Sequence, residues 1–222
     1  MQDEAGYTPL YIAVTEGRPE VVKRLLASPG AEVNRKNKEG WTPLYKAVMD
    51  GRVDIVQLLL TAPGIDVNAA DKDGWTPLFW AVMDGRADIV RLLLAAPGID
   101  VNAAGEDECT PLYKAVMDGR VEMVQLLLTA PGIDVNAAGS IGGTALFCAV
   151  TDGRADIVRL LLAAPGIDVN AADTEGLTPL DWAEREGHTE IAGVLRAAGA
   201  NANCRDLCEI IPETPCYQSF QA

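Results

Sequence analysis

TPLYKAVMDGRVDIVQLLLTAPGIDVNAA, residues 42–70, holds the signals from which the rest of the chain is read. Thr42 suits a helix N-cap, because its hydroxyl can accept from an orphan backbone N–H, and Pro43 suits the first helical position. Leu44, Ala47 and Val48 fall at i, i+3 and i+4, which is one apolar helical stripe. Gly51 supplies a left-handed residue to end that helix. Ile55, Val56, Leu58, Leu59 and Leu60 predict a second helix with a wider apolar face. It stops before Pro63-Gly64, a pair fitted to a tight turn. Ile65 to Gly74, rich in Asn, Asp and Gly, reads as an extended turn or hairpin.

The same stretch recurs. Thr8, Thr42, Thr76, Thr110, Thr144 and Thr178 follow one another at intervals of 34 residues. Six units of about 3–36, 37–70, 71–104, 105–138, 139–172 and 173–203 account for nearly the whole chain. One helix pair cannot bury its apolar faces alone, whereas stacked neighbours can, so the expected fold is an all-α solenoid. Thr42–Ala70 and Thr110–Ala138 differ at two positions, and Thr76–Ala104 and Thr144–Ala172 at three. The array therefore looks like a duplicated 68-residue pair of units, and duplication alone explains the near-identity.

Composition sets further bounds. The chain has 222 residues, 49% of them hydrophobic and 23% charged, as expected of an ordinary globular protein. Aromatics make up 5%, so the core is expected to be aliphatic. No apolar run approaches the ~20 residues that span a bilayer, and no membrane association is expected. The opening MQDEAGYTPL has neither a basic nor an apolar signal region, so no signal peptide is expected. A net charge of −14 argues against nucleic acid, whose phosphates require Lys and Arg, and favours basic partners if any. Five cysteines at irregular spacings do not form a disulfide framework, which suggests a reducing, intracellular setting. The cytoplasm is the first expectation, with the nucleus or a host cell as other destinations.

The motif G-x-T-P-L-x-x-A, a Gly closing the first helix, (D/E)-I-V-x-L-L-L and D-V-N together resemble the ankyrin repeat. The resemblance spans roughly 200 of the 222 residues. Departures are local. The family's usual His after Thr-Pro-Leu is Tyr11, Tyr45, Phe79, Tyr113, Phe147 and Asp181 here, and the usual Gly-His is Gly-Arg in five units. Only Gly187-His188 keeps the common form. Glu108 stands where the finger Gly is expected, and Ala145 replaces the helix-starting Pro.

The resemblance implies β-turn fingers and first helices facing a concave groove that binds a protein or peptide. On that template Tyr7, Trp41 and Trp75 precede the threonines, beside Met49, Met83 and Met117, with Asp50, Asp84, Asp118 and Asp152 as an acidic edge. Aromatic anchors and adaptable Met are common in hot spots, and an acidic edge would steer a basic segment. Two other readings stand beside this one. The Trp and Met residues could pack finger on finger, and Arg52, Arg86, Arg120 and Arg154, two residues past the acids, could neutralise them. Trp80 and Trp182 are read as half-buried and structural. The family also implies that Asn34, Asn68, Asn102, Asn136, Asn170 and Asn203 occupy sites that asparagine hydroxylases modify.

Catalytic signals are poor. The chain has a single His, His188, at a family position, so His-dependent triads and multi-His metal sites lack parts. Asp71-Lys72-Asp73-Gly74 fails the calcium-loop pattern because Gly comes too early. No cofactor, metal or catalytic residue is expected. In residues 204–222, Leu207, Ile210 and Ile211 suggest a capping helix, with disorder as the alternative. Cys204, Cys208 and Cys216 would supply only three zinc ligands. The functional expectation is a monomeric, non-catalytic interaction module; the alternative is a scaffold or adaptor segment whose activity lies in a longer protein.

Overall fold

The structure is a computed structural model, and it describes residues 6–105, 108–139 and 143–202. The expected tail helix and the tail cysteines lie outside the described residues. Twelve α-helices form among the described residues, with no strand beyond an isolated bridge between Ala138 and Thr144. They come in pairs: α1 Pro9–Thr15 with α2 Pro19–Leu26, α3 Pro43–Met49 with α4 Val53–Leu60, and α5 Pro77–Met83 with α6 Ala87–Leu94. Then follow α7 Pro111–Met117 with α8 Val121–Leu128, α9 Ala145–Thr151 with α10 Ala155–Leu162, and α11 Pro179–Arg185 with α12 Thr189–Ala197.

The helix starts follow from chemistry. Each first helix opens on a buried Thr whose hydroxyl accepts the backbone N–H three residues on, as from Thr42 to Tyr45 at 3.1 Å. Such a cap contributes about 1 kcal/mol. In the last pair Thr178 and Asp181 form a reciprocal capping box, which satisfies a carboxylate that is only 1% exposed. The second helices lack a side-chain cap but carry an acid in the first turn, Glu20 to Glu190, where the helix dipole favours negative charge. Gly51 closes α3 at φ +66 and Gly64 completes the Pro-Gly turn at φ +73, conformations that cost a side-chain-bearing residue strain.

The chain divides into two compact units, residues 1–133 and 134–222. In the first, α1, α3, α5 and α7 pack side by side, and α2, α4, α6 and α8 form a second layer against them. In the second, α9 packs on α11 and α10 on α12. Leu44, Ile55, Leu59, Leu78, Ile89 and Leu93 are fully buried between layers of the first unit. Truncating one, Leu59→Ala for example, would cost about 2–5 kcal/mol through lost transfer energy and a residual cavity. The core is aliphatic, as composition requires.

Candidate functional site

The candidate surface is built on the short first helices. Tyr7 stacks on Tyr11 with centroids 5.0 Å apart, Trp41 on Tyr45 at 6.0 Å, and Trp75 on Phe79 at 4.0 Å. Each ring preceding a cap threonine thus rests on the ring four residues later and is half-buried. Met49, Met83 and Met117 occupy the other ends of α3, α5 and α7; the first two are half-buried and Met117 is 44% exposed. A seven-residue helix is about 10 Å long, so the aromatic and methionine rows are separate lines rather than one patch.

Packing and exposure divide unequally among the aromatics. A Cβ on Gly105 would come within 2.6 Å of Trp75 Cδ2, so that indole is wedged between Phe79 and the backbone of the following finger. The hydroxyl of Tyr45 donates to Asp71 Oδ2, and Asp71 Oδ1 accepts from the backbone N–H of Asp73 and Trp75 at 3.0 and 2.9 Å. Asn37 makes the same finger bonds and donates to the Tyr11 hydroxyl at 3.2 Å. Burial, then the neighbouring Tyr7, raise the Tyr11 pKa above the ordinary tyrosine value. For Tyr45 burial again leads, followed by the bond to Asp71. These are neutral, structural tyrosines.

Every member of the acidic row has a cation of its own. Lys46 meets Asp50 at 2.8 Å and Arg86 meets Asp84 at 3.3 Å. Asp118 takes Lys114 at 3.0 Å and Arg120 at 3.8 Å. In the second unit Arg154 meets Asp152 at 3.3 Å. Exposed pairs of this kind are worth about 0–1 kcal/mol, so their effect is to cancel local charge. The arginines have a second contact. A Cβ on Gly17 would stand 2.7 Å from Arg52 Cζ, and the Arg86 and Arg120 guanidiniums lie likewise against Gly51 and Gly85. His188 takes that place over Gly153, where a Cβ would approach its Cε1 to 3.0 Å. The single histidine therefore packs where the other pairs use Arg.

Consecutive pairs are also clasped by carboxamides. Asn34 Nδ2 donates to the Gly64 carbonyl at 2.7 Å while its Oδ1 accepts from Asp66 N–H at 2.8 Å. Asn68 repeats this on Gly98 and Asp100, and Asn136 on Gly166 and Asp168. Trp80 meets Tyr45 edge-on at 6.4 Å and Trp182 meets Phe147 at 5.6 Å, both within their units and both half-buried. Among the described residues no group of three His, Cys, Asp or Glu is placed to hold a metal ion. Nor is any helix among them long and apolar enough to cross a membrane.

A family model for ankyrin repeats matches the chain in three copies, over residues 1–71, 64–139 and 139–206. The chain belongs to the ankyrin repeat family. Two solved structures are similar over most of their length. An ankyrin repeat domain from Acinetobacter baumannii AYE is 33% identical, with 87% of this chain and 98% of that one covered and a TM-score of 0.79. The ankyrin repeat domain of Bcl-3, a unique member of the IkappaB protein family, is 35% identical, with 89% of each chain covered and a TM-score of 0.80. No curated protein sequence matches this one. The all-α solenoid of stacked helix pairs read from the sequence is the fold of this ankyrin chain. Proteins of this family generally serve protein–protein interaction.

Proposed function

We propose that this ankyrin array is a non-catalytic docking module that presents a concave groove to a protein or peptide partner. Its contact residues are Tyr7, Trp41 and Trp75 with Met49, Met83 and Met117, and its edge is Asp50, Asp84, Asp118 and Asp152. The observation that supports this most directly is Met117, a large apolar side chain left 44% exposed at the end of a row of half-buried methionines. The aromatic rings add pre-organisation. Each is already held against a neighbouring ring, so little side-chain freedom is lost on docking.

Local ion pairing alters the electrostatic part of the reading. With the aspartates paired, attraction for a basic partner comes from the net charge of −14 acting over the surface, rather than from four bare carboxylates. Added salt should then slow association more than it speeds dissociation.

Met117→Lys tests the contact surface, since the residue is exposed and its loss leaves the core intact. Affinity capture from the native cell extract, with wild type beside Met117→Lys and Trp41→Ala, should show one set of proteins lost from both variants. Thermal melts should keep Met117→Lys within about 0.5 kcal/mol of wild type, the usual range for surface changes. Identical captured proteins from all three would remove this surface from consideration.

A further inference from the structure

At two junctions a ring of one pair meets a tryptophan of the next edge-on, and the same carboxylate is used differently. In the second unit Phe147 meets Trp182, and Trp182 Nε1 donates to Asp173 Oδ2 at 2.9 Å. In the first, Tyr45 meets Trp80, and Asp71 Oδ2 takes the Tyr45 hydroxyl instead. Asp71 and Asp173 are equivalent, each five residues before its cap threonine, and each Oδ1 holds the finger N–H groups two and four residues on. Trp80 and Trp182 are equivalent too, four residues after that threonine. What differs at the acceptor is the hydroxyl of Tyr45.

Its effect falls on Trp80. The indole Nε1 is buried and, among the described residues, has no hydrogen-bond partner. It stands beside the bond that excludes it, since it acts to lower the Tyr45 pKa against the rise that burial and Asp71 cause. The two ring centroids are 6.4 Å apart, against 5.6 Å for Phe147 and Trp182. Residue types point the same way. Trp at this place occurs only in units with Asp at the finger base, whereas the units of Lys46, Lys114 and Cys148 have Asn37, Gly105 and Gly139 there.

We propose that Asp71 is a two-position latch: its Oδ2 accepts either from the Tyr45 hydroxyl or from the Trp80 indole N–H, and the chain exchanges between the two. Each position leaves one buried donor unmet, so neither is favoured by a whole hydrogen bond, and the minor one is populated at about 1–10%. The short bond from hydroxyl to carboxylate makes the tyrosine position the major one. The latch lies beneath a docking contact, because Trp41 stacks on Tyr45 at 6.0 Å. Releasing the hydroxyl loosens that platform, and a partner that shifts Trp41 biases the latch. Only this last consequence rests on the docking reading; the latch itself requires no partner.

Indole N–H resonances of the isotope-labelled full chain provide the test, with no partner present. Two variants give reference positions. Tyr45→Phe, which copies Phe79 and Phe147, leaves Oδ2 to Trp80 alone. Asp71→Asn keeps the finger bonds, as Asn37 does, but turns a donor toward the indole. The Trp80 signal, identified by its loss in Trp80→Phe, should move downfield in Tyr45→Phe, toward that of Trp182, and should not do so in Asp71→Asn. In wild type it should lie between the two references if exchange is fast, or show relaxation dispersion or saturation transfer to the Tyr45→Phe position if exchange is slower. The Trp41 signal should respond at the same rate. A Tyr45→Phe signal at the Asp71→Asn position, or a wild-type signal at that position with no exchange by either method, would overturn the latch. A Trp41 signal without response would sever it from the docking surface.

Discussion

Two neighbouring fingers in the first unit solve one structural problem with opposite residues. The finger over Tyr45 has Asp71 at its base and Gly74 at its tip; the finger over Phe79 has Gly105 at its base and Glu108 at its tip. In the first, the Asp71 carboxylate ties two finger N–H groups and the Tyr45 hydroxyl together, and Gly74 takes φ +78 without strain. In the second there is no hydroxyl to satisfy, and Gly105 in place of the carboxylate lets the Trp75 ring lie close against the backbone. The tip then falls to Glu108, which is forced to φ +56 and is the one described non-glycine with positive φ. In this pair of fingers the ring with a polar tip, Tyr45, meets an acceptor, and the finger beyond Phe79 has apolar contact in its place.

Breaking the apolar version should have the largest effect. Gly105→Leu places side-chain atoms where the Trp75 indole lies, and the ring can withdraw only by giving up its stacking on Phe79. Overpacking of this kind costs about 1–3 kcal/mol. Denaturant titration followed by helical circular dichroism should show a lowered midpoint, and Trp75→Ala in the same chain should recover part of it. Simple additivity of the two losses would mean that the indole and Gly105 are not in contact.

Breaking the polar version comes next. Asp71→Ala strands the Tyr45 hydroxyl in a buried position and frees two finger N–H groups, for a loss of about 1–3 kcal/mol. Asp71→Asn should cost much less, because Asn37 already holds Tyr11 and its own finger with a neutral amide. Adding Tyr45→Phe to Asp71→Ala should return part of the stability, since no hydroxyl is then left unpaired. Equal losses from the Asn and Ala variants would show that the finger bonds contribute nothing.

Alkaline pH sharpens the same contrast. The pKa of Tyr45 is raised in the folded state, chiefly by burial and then by the bond to Asp71. The folded chain therefore keeps a proton that the unfolded chain loses above about pH 10. Above that pH the unfolded state binds fewer protons, so stability, complete at lower pH, declines as pH rises toward the folded pKa. Tyr45→Phe should flatten this decline. Trp75→Phe, which carries no titrating group, should leave its slope unchanged.

Much of this was legible locally and little of it at a distance. Thr-Pro starts, closing glycines and Pro-Gly turns were readable because each signal lies within one turn of its effect, as Thr42 caps at Tyr45. Glu108 was identifiable in the same way, as the wrong residue at a glycine position. The bond from Tyr45 to Asp71 joins residues 26 apart, and only the stacking register of two pairs brings them together. The Arg86 contact with Gly51 has the same origin. Local charge was half readable: the arginines two residues past the aspartates were candidates, but Lys46 and Lys114, one helical turn before them, complete the pairing. The length of the predicted first helix already separated the Trp and Met rows, since Trp41 precedes its cap and Met49 ends it.

Glu108 gives the smallest effect and the one that isolates backbone from packing. Its side chain is exposed, and its N–H still closes the finger on the Gly105 carbonyl at 3.0 Å, the bond that Gly74 makes to Asp71 at 3.4 Å. Glu108→Gly would therefore keep that bond while relieving a left-handed conformation that costs about 1–2 kcal/mol for a residue with a Cβ. Against this stands the greater freedom of glycine in the unfolded chain, worth about 0.4–1 kcal/mol. The net gain should be about 0.5 kcal/mol, read as a small rise in the denaturation midpoint at unchanged helicity. Asn, which tolerates φ > 0 and restores some of the lost chain restriction, should do as well or better. A loss of stability from both substitutions would mean that the Glu108 side chain contributes more to the finger than its backbone strain costs.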